Sequence, residues 1–325
     1  MLSFLYRQFL PLGLVSVALA GLLLPAPGRY MAALPTQHVA VSLIFVCAGL
    51  RLRTDEVRSA LASWRATSYG TVSTLLITPV IGALLAFRLP LDPAFCLGLA
   101  LFCCMPTTLS SGIALTGQAR GNVALALLLT VLTNLLGVLT VPFLLALLLR
   151  TVGHVELSAL DLLGKLCLSI LLPLVVGRAL RHFVAAWADR HSGAIGLTSN
   201  AALISVPWMQ FSQSSSRLAA AGWASVGLIA LAGLCLHVLF LVLNEGAARL
   251  LRLPLPAHRA VVLIASEKTL PVALTVLTFL PVPAETKGLI AIPCVISHLG
   301  QIFMDAVLAT RWGQAAALQP EPAVG

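Results

Sequence analysis

The sequence predicts an all-α integral membrane protein with ten transmembrane helices, arranged as two inverted five-helix repeats. Three observations support this fold class. The 325-residue chain is 59% hydrophobic and only 10% charged, with a mean hydropathy of +1.00. Its apolar residues form successive segments, many near the roughly 20 residues that a membrane-spanning helix needs. Similar short motifs recur in the same order about 160 residues apart, as expected of a repeated architecture.

The composition excludes several functional classes. Soluble domains carry roughly a quarter charged residues, far more than this chain. The net charge of +9 does not indicate nucleic-acid binding, because the arginines lie in short runs between apolar segments, where membrane topology places them. The seven cysteines lie mostly in apolar runs and are interpreted as packing residues. The sequence has no nucleotide-binding loop, metal-spaced cluster or hydrolase motif, so neither an enzyme nor a resident cofactor is predicted.

Ten apolar segments are predicted to cross the bilayer. Short connections that contain Pro, Gly or Arg separate most of them, and no soluble domain is inserted. The first segment is interpreted as a spanning helix and not as a removed signal peptide, since no convincing cleavage site follows it. The segments cover residues 9–25, 37–50, 67–88, 94–117, 122–149, 158–180, 194–213, 219–246, 259–281 and 286–310.

The positive charges predict the orientation of these segments. Most Lys and Arg residues fall in the connections on one side, for example Arg51 and Arg53 after the second segment and Arg178 and Arg181 at the end of the sixth. Cytoplasmic connections are enriched in these residues. We therefore expect both termini on the cytoplasmic or stromal side of a plasma, bacterial inner or plastid envelope membrane.

Pairs of similar motifs define the two repeats. "FLPLGLV" in the first segment resembles "LLPLVVG" in the sixth, and "TTLSS" at 107–111 resembles "KTLPV" at 268–272. Because five is an odd number of spans, residues 1–150 and residues 151–325 would have opposite orientations in the membrane. Inverted repeats occur in secondary transporters, whose binding sites lie between the repeats near the bilayer midplane.

Two predicted helix interruptions lie at matching places in the two halves. Residues 105–112, in the fourth segment, and residues 266–271, in the ninth, place Pro and polar residues in apolar surroundings. Proline removes a backbone donor and disfavours a continuous helix. Unwound backbone inside a bilayer persists only where it faces protein or a wet cavity. Paired interruptions are typical of a transporter site, whereas a proline kink is the alternative for the fourth segment taken alone.

Polar residues near the interruptions are the candidate site. Glu267 and Lys268 are ionisable residues in an apolar segment, which favours a functional role. The amides that begin a half-helix suit an anion, and the carbonyls that end one suit a cation.

The fifth and tenth segments each carry a stripe of polar residues. An interhelical hydrogen bond is the alternative interpretation for His298. A position at the end of a helix, near the membrane surface, is the alternative for Asp305. The two stripes comprise Thr130, Thr133, Asn134 and Gly137 in the fifth segment, and Ser297, His298, Gln301 and Asp305 in the tenth.

The sequence resembles the bile acid:sodium symporter family, and within it the divergent branch that includes plastid sodium/metabolite cotransporter-like proteins. The similarity extends over essentially the whole chain. The stretches that carry it are "FCCMPTTLSSGIALT" (102–116), "GNVALALLLTVLTNLLGVLTVP" (121–142), "SVPWMQFSQS" (205–214), "SEKTLPVA" (266–273) and "PCVISHLGQIFMD" (293–305).

The resemblance implies a core domain and a panel domain that move against each other. The core would comprise the helices in residues 67–149 and 219–310, and the panel those in residues 9–50 and 158–213. The fourth and ninth segments would cross at their unwound centres within the core. The resemblance also implies an organic anion as substrate, coupled to sodium in the better-known branch.

The resemblance carries over to particular residues. It implies that the interruption in the fourth segment, together with the fifth segment, supplies sodium ligands. A Gln of the better-known branch aligns with Lys268, so we hypothesise that the ammonium group replaces one sodium ion and leaves coupling to protons or to one remaining ion. The candidate substrate-binding residues are Pro106, Thr107, Thr108, Lys268, Thr269, Pro271 and His298. The candidate ion-binding residues are Ser110, Ser111, Thr130, Thr133, Asn134, Glu267 and Gln301.

The predicted function is secondary active transport of a small organic anion by alternating access, coupled to sodium or protons. The expected partners are this anion, the coupling cation and the lipid bilayer. Two alternatives share the same fold. One is a membrane regulator that no longer moves a substrate, and the other is a cation/proton antiporter.

Overall fold

The computed structural model describes residues 9–51, 63–108, 111–152 and 157–317, and within these ranges the chain forms helices and connecting turns without any strand. Its helices are α1 (Phe9–Leu23), α2 (Pro25–Ala33), α3 (Thr36–Arg51), α4 (Trp64–Ala86), α5 (Pro93–Cys103), α6 (Ser111–Gln118), α7 (Val123–Val152), α8 (Ala159–Arg190), α9 (Ser192–Gln213), α10 (Ser215–Leu250), α11 (Leu255–Ser266), α12 (Leu270–Phe279) and α13 (Ala284–Ala317).

The apolar helices make the chain a multi-pass membrane protein. A helix or a helix pair lies at each of the ten apolar segments. By length and composition, six spans in the described ranges can cross a bilayer, or seven when the bent pair α1–α2 is included. These six are α4, α7, α8, the part of α10 from Ala224 onwards, the α11–α12 region and α13.

The first apolar segment ends earlier than its predicted boundary at residue 25. α1 stops before Leu24, and α2 begins at Pro25 with its axis turned by 97°. Pro25 has no amide hydrogen to continue α1, and it favours the non-helical backbone of Leu24. Arg29 fixes the bend by donating to the carbonyl of Ser212 at 2.9 Å.

One layer of the molecule consists of α1, α3, α8 and α9, in which α3 packs along α8 and α1 along α9. α3 and α8 approach closely through two glycines. A Cβ atom at Gly49 would lie 2.2 Å from the carbonyl oxygen of Leu174, and one at Gly177 would lie 2.2 Å from that of Val46. Small residues allow this close backbone packing between membrane helices.

Two helices contain a π-helical turn that ends shortly before a proline. The turns are Ser73–Ile77 in α4, before Pro79, and Cys167–Leu171 in α8, before Pro173. In the π register a carbonyl accepts from the amide five residues later. Since Pro79 has no amide hydrogen, the carbonyl of Thr74 has no backbone donor at that position and can accept from a side chain.

Most of the remaining helices pack around α11 and α12. α13 packs against α5, α10 and α12, and α11 packs against α10, α7 and α4. The α11–α12 region is the most enclosed of the apolar spans. This arrangement places the end of α11 deep inside the protein.

Candidate functional site at two helix interruptions

Both predicted interruptions are present. α5 ends at Cys103 and the next described helix begins at Ser111, so the alternative of a proline kink within one continuous helix is wrong. The second interruption, residues 267–269, separates α11 from α12. The backbone amide of Thr269 donates to the carbonyl of Pro106 at 2.9 Å. The two unwound segments are therefore bonded directly to each other.

Glu267 links the second interruption to the first. Its carboxylate is fully buried and accepts hydrogen bonds from the hydroxyl of Thr108 and, at 3.4 Å, from that of Ser111. A Cβ atom at Gly112 would lie 2.8 Å from Glu267 Oε2. Glycine at this position therefore makes room for the carboxylate.

Asn134 of α7 is hydrogen-bonded to the backbone of the first interruption. Its Nδ2 donates to the carbonyl of Thr107 at 3.0 Å and to that of Thr130, one turn earlier, at 2.9 Å. Pro106 also packs against α7, because a Cβ atom at Gly137 would lie 3.0 Å from its ring. The polar stripe of α7 therefore supports the unwound backbone.

Buried oxygen atoms without a hydrogen-bond partner in the described structure cluster around the interruptions. Oxygen atoms in this number suit a hard cation such as sodium, whose hydration shell they can replace. The described residues contain no group of three or more His, Cys, Asp or Glu that is placed to hold a metal ion. The unpartnered atoms on the two interruptions and on the facing stripe of α7 are Thr107 Oγ1, Thr130 Oγ1, Thr133 Oγ1, Asn134 Oδ1, Glu267 Oε1 and Thr269 Oγ1.

Lys268 points away from Glu267, towards α4. Its ammonium group donates to the carbonyl of Thr74 and to Thr78 Oγ1, each at 2.9 Å, and lies 5.8 Å from the ring centre of Phe240. The carbonyl of Thr74 is the one that Pro79 leaves without a backbone donor. The ammonium group thus occupies a position created by the π-helical turn.

The side chain of Gln301 in α13 is hydrogen-bonded to the backbone of the second interruption. Its Oε1 accepts from the amide of Lys268 at 2.9 Å, and its Nε2 donates to the carbonyl of Lys268 at 2.6 Å. His298 lies beside it, with Nδ1 3.2 Å from Gln301 Nε2. This pairing satisfies backbone groups that a continuous helix would have bonded internally.

A cavity of about 860 Å³ extends from the interruptions to the surface. We call it the large cavity. Its wall is mostly apolar and comes from α3, α8 and α9 on one side and from α6, α7, α12 and α13 on the other. Arg51, Arg178 and His182 line one end, where Arg51 and His182 are exposed. The polar residues at its inner end are Thr108, Ser111, Thr130, Asn134, Thr269 and His298.

Comparison with known proteins decides the family. The sequence model of the SBF-like CPA transporter family matches residues 8–314, nearly the whole chain. The chain belongs to this family. Membership confirms the resemblance found in the motifs and makes the protein a membrane transporter by family, and not an enzyme.

Relatives of this SBF-like protein have related names. It is 35% identical over 327 residues to "Probable sodium/metabolite cotransporter BASS4, chloroplastic" of Oryza sativa subsp. indica, a match that covers 97% of this chain and 77% of the relative. It is 36% identical to the protein of the same name from Arabidopsis thaliana, over 96% of this chain and 74% of the relative. It is 26% identical to "Sodium/bile acid cotransporter 7-A" of Xenopus laevis, over 95% and 92% of the two chains.

The candidate residues fall into three sets in this SBF-like structure. Ser110 lies outside the described residues. The candidates that line the large cavity are Thr108, Ser111, Thr130, Asn134, Thr269, Pro271 and His298. The candidates that surround the interruptions without lining the cavity are Pro106, Thr107, Thr133, Glu267, Lys268 and Gln301.

Sequence reasoning missed several residues of this region. In the sequence, Arg51 and Arg178 indicated only the orientation of the helices. Their place in the cavity follows from the packing of α3 and α8. His237, an ionisable residue in the middle of the eighth apolar segment, carried a usable signal. It pairs with Asp305, which is fully buried. The alternative of a surface position for Asp305 is therefore wrong.

Proposed function

We propose that the protein is a secondary active transporter of a small organic anion, coupled to sodium or protons and working by alternating access. The observation that carries this proposal is the large cavity, which joins an end lined by arginines to the two bonded interruptions. An enclosed polar site reached from one side of the membrane is what alternating access requires. Relatives named as sodium/metabolite and sodium/bile acid cotransporters support sodium as the coupling ion.

The lining of the cavity supports an organic anion with an apolar body. Arg51 and Arg178 supply positive charge, and arginine is well suited to binding carboxylate groups. The mostly apolar wall between them and the interruptions suits a carbon skeleton. Thr269 and His298 at the inner end can donate to further polar groups of the substrate.

The unpartnered oxygens support one cation site next to Glu267. In this proposal Ser110, Ser111, Thr130, Thr133, Asn134 and Glu267 contribute to binding the ion. Lys268 supplies a second, fixed positive charge on the α4 side, where it replaces one sodium ion. Gln301 holds the backbone between these two positions.

The finer architecture belongs to the same proposal. Ten transmembrane helices in two inverted repeats are supported by the matching positions of the interruptions and by the pairing of α1 with α9 and of α3 with α8. Residues 1–150 and 151–325 would be the repeats. α1, α3, α8 and α9 would form the panel, and the other spans the core. Both termini would face the cytoplasm or stroma, in a plasma, inner or plastid envelope membrane.

Uptake by purified protein in proteoliposomes tests this proposal. We expect a panel of radiolabelled mono- and dicarboxylates to include at least one that exchanges across the membrane. We expect Arg178→Gln to reduce its uptake about tenfold or more, because the variant loses a charged contact worth roughly 1.5–3 kcal/mol. Arg88→Gln, which removes the same charge from an exposed position outside the cavity, is the matched control.

Three results would contradict the transport proposal. Binding of a carboxylate without exchange favours a membrane regulator. A cation flux that depends strongly on pH and needs no organic anion favours a cation/proton antiporter. Equal losses of uptake in Arg178→Gln and Arg88→Gln would show that uptake does not depend on the large cavity.

A further inference from the structure

The last residue of α12 is held between two helices of the layer that α1, α3, α8 and α9 form. Phe279 stacks on His38 of α3, with the two ring centres 5.4 Å apart. Lys165 of α8 places its ammonium group 5.9 Å from the centre of the Phe279 ring, within the range of a cation–π interaction. We call these three side chains the Phe279 cluster. It joins α12 to both α3 and α8.

The Phe279 cluster lies at the opposite end of α3 and α8 from the arginines of the large cavity. His38 precedes Arg51 in α3, and Lys165 precedes Arg178 in α8. At the rise of an α-helix, about 20 Å of helix axis separates the two members of each pair. Neither His38 nor Lys165 is among the residues that line the large cavity.

Buried side chains separate the Phe279 cluster from the large cavity. In α3, Val41 lies one turn from the cluster and is 2% exposed, and Ile44, one turn further along, lines the cavity. In α12, Thr275 lies one turn from the cluster and is fully buried, and Pro271, a further turn away, lines the cavity. On both helices, a buried layer therefore lies between the cavity and the cluster.

The backbone at the end of α12 is bonded to a different helix from those that contact the ring. The ammonium group of Lys287 in α13 donates to the carbonyl of Thr278 at 2.6 Å. Carbonyls in the last turn of a helix lack a partner within the helix, and a cation there is favourable. The end of α12 is thus bonded to the proposed core, whereas the Phe279 ring contacts the proposed panel.

We propose that Phe279 is a gate at the end of the protein opposite the arginines, that its contacts with His38 and Lys165 keep this end closed, and that they separate when the site opens there. The inference rests on the proposed function, because alternating access requires one side to close while the other is open. Aromatic stacking and cation–π contacts are individually weak, so they can break in each cycle. Lys165 also pairs with Asp161 of its own helix at 2.7 Å, so its charge keeps a partner when the ring moves away.

A reversible cross-link tests whether the contact must break. In a background with Cys167 and Cys235 replaced by Ser, a short bismethanethiosulfonate reagent would join His38→Cys to Phe279→Cys. We expect anion uptake by the linked protein to fall at least tenfold and to return when a reducing agent cleaves the link. Val39→Cys with Phe279→Cys is the matched control. Val39 is 63% exposed, and adjacent residues of a helix face different directions, so this pair should not link and uptake should persist.

Labelling of Val41→Cys in the same background tests the ring itself and needs no substrate. A membrane-impermeant thiol reagent added on the side of the Phe279 cluster should react slowly with this buried position. Phe279→Ala should raise the rate severalfold, because loss of the ring contacts increases the population of the state that is open on this side. Phe87→Ala, which removes another half-buried ring directly after α4, should leave the rate unchanged.

Two results would overturn the gate and leave the transport proposal standing. Unchanged uptake by the linked protein would show that Phe279 and His38 stay together during transport. Unchanged labelling of Val41→Cys in Phe279→Ala would show that the ring does not close this side. Absence of uptake by the wild type contradicts the transport proposal instead, and the labelling rates then decide the gate.

Discussion

Lys268 places an ammonium group in a buried position where its partners are a carbonyl and a hydroxyl of α4. A buried charge is costly unless polar groups replace its hydration, and Thr74 and Thr78 do this because the π-helical turn and Pro79 leave one carbonyl unpaired. The role proposed for Lys268 is a fixed charge, which moves with the protein and does not dissociate.

This fixed charge predicts how uptake depends on sodium. If Lys268 replaces one sodium ion, the wild type should show a Hill coefficient of about 1 for sodium. Lys268→Gln exchanges the ammonium group for a neutral amide. Uptake should then require a higher sodium concentration and depend on it more steeply, or be lost when sodium is absent. Uptake by proteoliposomes over a sodium series measures this. A Hill coefficient of about 2 in the wild type would contradict the role of Lys268.

Gly112 makes a second prediction at the scale of one residue. A Cβ atom there would lie 2.7 Å from Ile264 Cδ1 and 2.8 Å from Glu267 Oε2, so Gly112→Ala should displace the carboxylate. We expect uptake to fall about tenfold or more, with a smaller effect on expression, since positioning errors of this size are severe at binding sites. Gly117→Ala in the same helix is the control, because its nearest contact would be an ordinary 3.5 Å. Unchanged uptake in Gly112→Ala would remove Glu267 from the mechanism.

At the scale of helices, the close approach of α3 and α8 would stiffen the proposed panel. Gly49 and Gly177 face the partner backbone, and backbone atoms cannot move aside as side chains do. A panel of this kind can remain one body while the rest of the protein moves against it, which is the motion that alternating access needs.

Gly177→Ala should therefore destabilise the protein. The added methyl group would lie 2.2 Å from the carbonyl oxygen of Val46, and overpacking of this kind costs about 1–3 kcal/mol. Gly164→Ala in the same helix adds its methyl group to open space and should leave stability unchanged or slightly higher. Thermal unfolding in detergent measures both variants. Equal midpoints would show that α3 and α8 are held together by other contacts.

At the scale of the whole molecule, the large cavity has an end that is lined by exposed polar residues. The exposed residues at its mouth, Arg51 and His182, belong to the side that the positive charges assign to the cytoplasm. The inner end is enclosed by the α11–α12 region and its neighbours. The structure therefore corresponds to a state in which the proposed site is accessible from that side.

Cysteine labelling checks this accessibility. In a background with Cys167 and Cys235 replaced by Ser, we expect Asn200→Cys, which lines the cavity, to react with a charged thiol reagent from the cytoplasmic side. Leu231→Cys, an exposed apolar position of α10 outside the cavity, should react poorly because lipid excludes the reagent. Labelling of Asn200→Cys from the opposite side alone would reverse the predicted orientation.

The sequence alone determined the membrane class, the positions of the helices and the two interruptions. Hydropathy and proline are local signals, and the requirement that backbone groups be bonded in lipid makes them reliable. The motifs also identified the family, which the family comparison confirmed.

Only the tertiary structure decided which way the side chains at the interruptions point. Glu267 and Lys268 are neighbours in the chain, yet one accepts from Thr108 and Ser111 and the other reaches α4. Unwound backbone has no helical period from which side-chain direction can be read, so direction depends on the oxygens that other helices supply. The arginines of the large cavity and the pairing of His237 with Asp305 likewise depend on which helices pack together, and hydropathy carries no information about that.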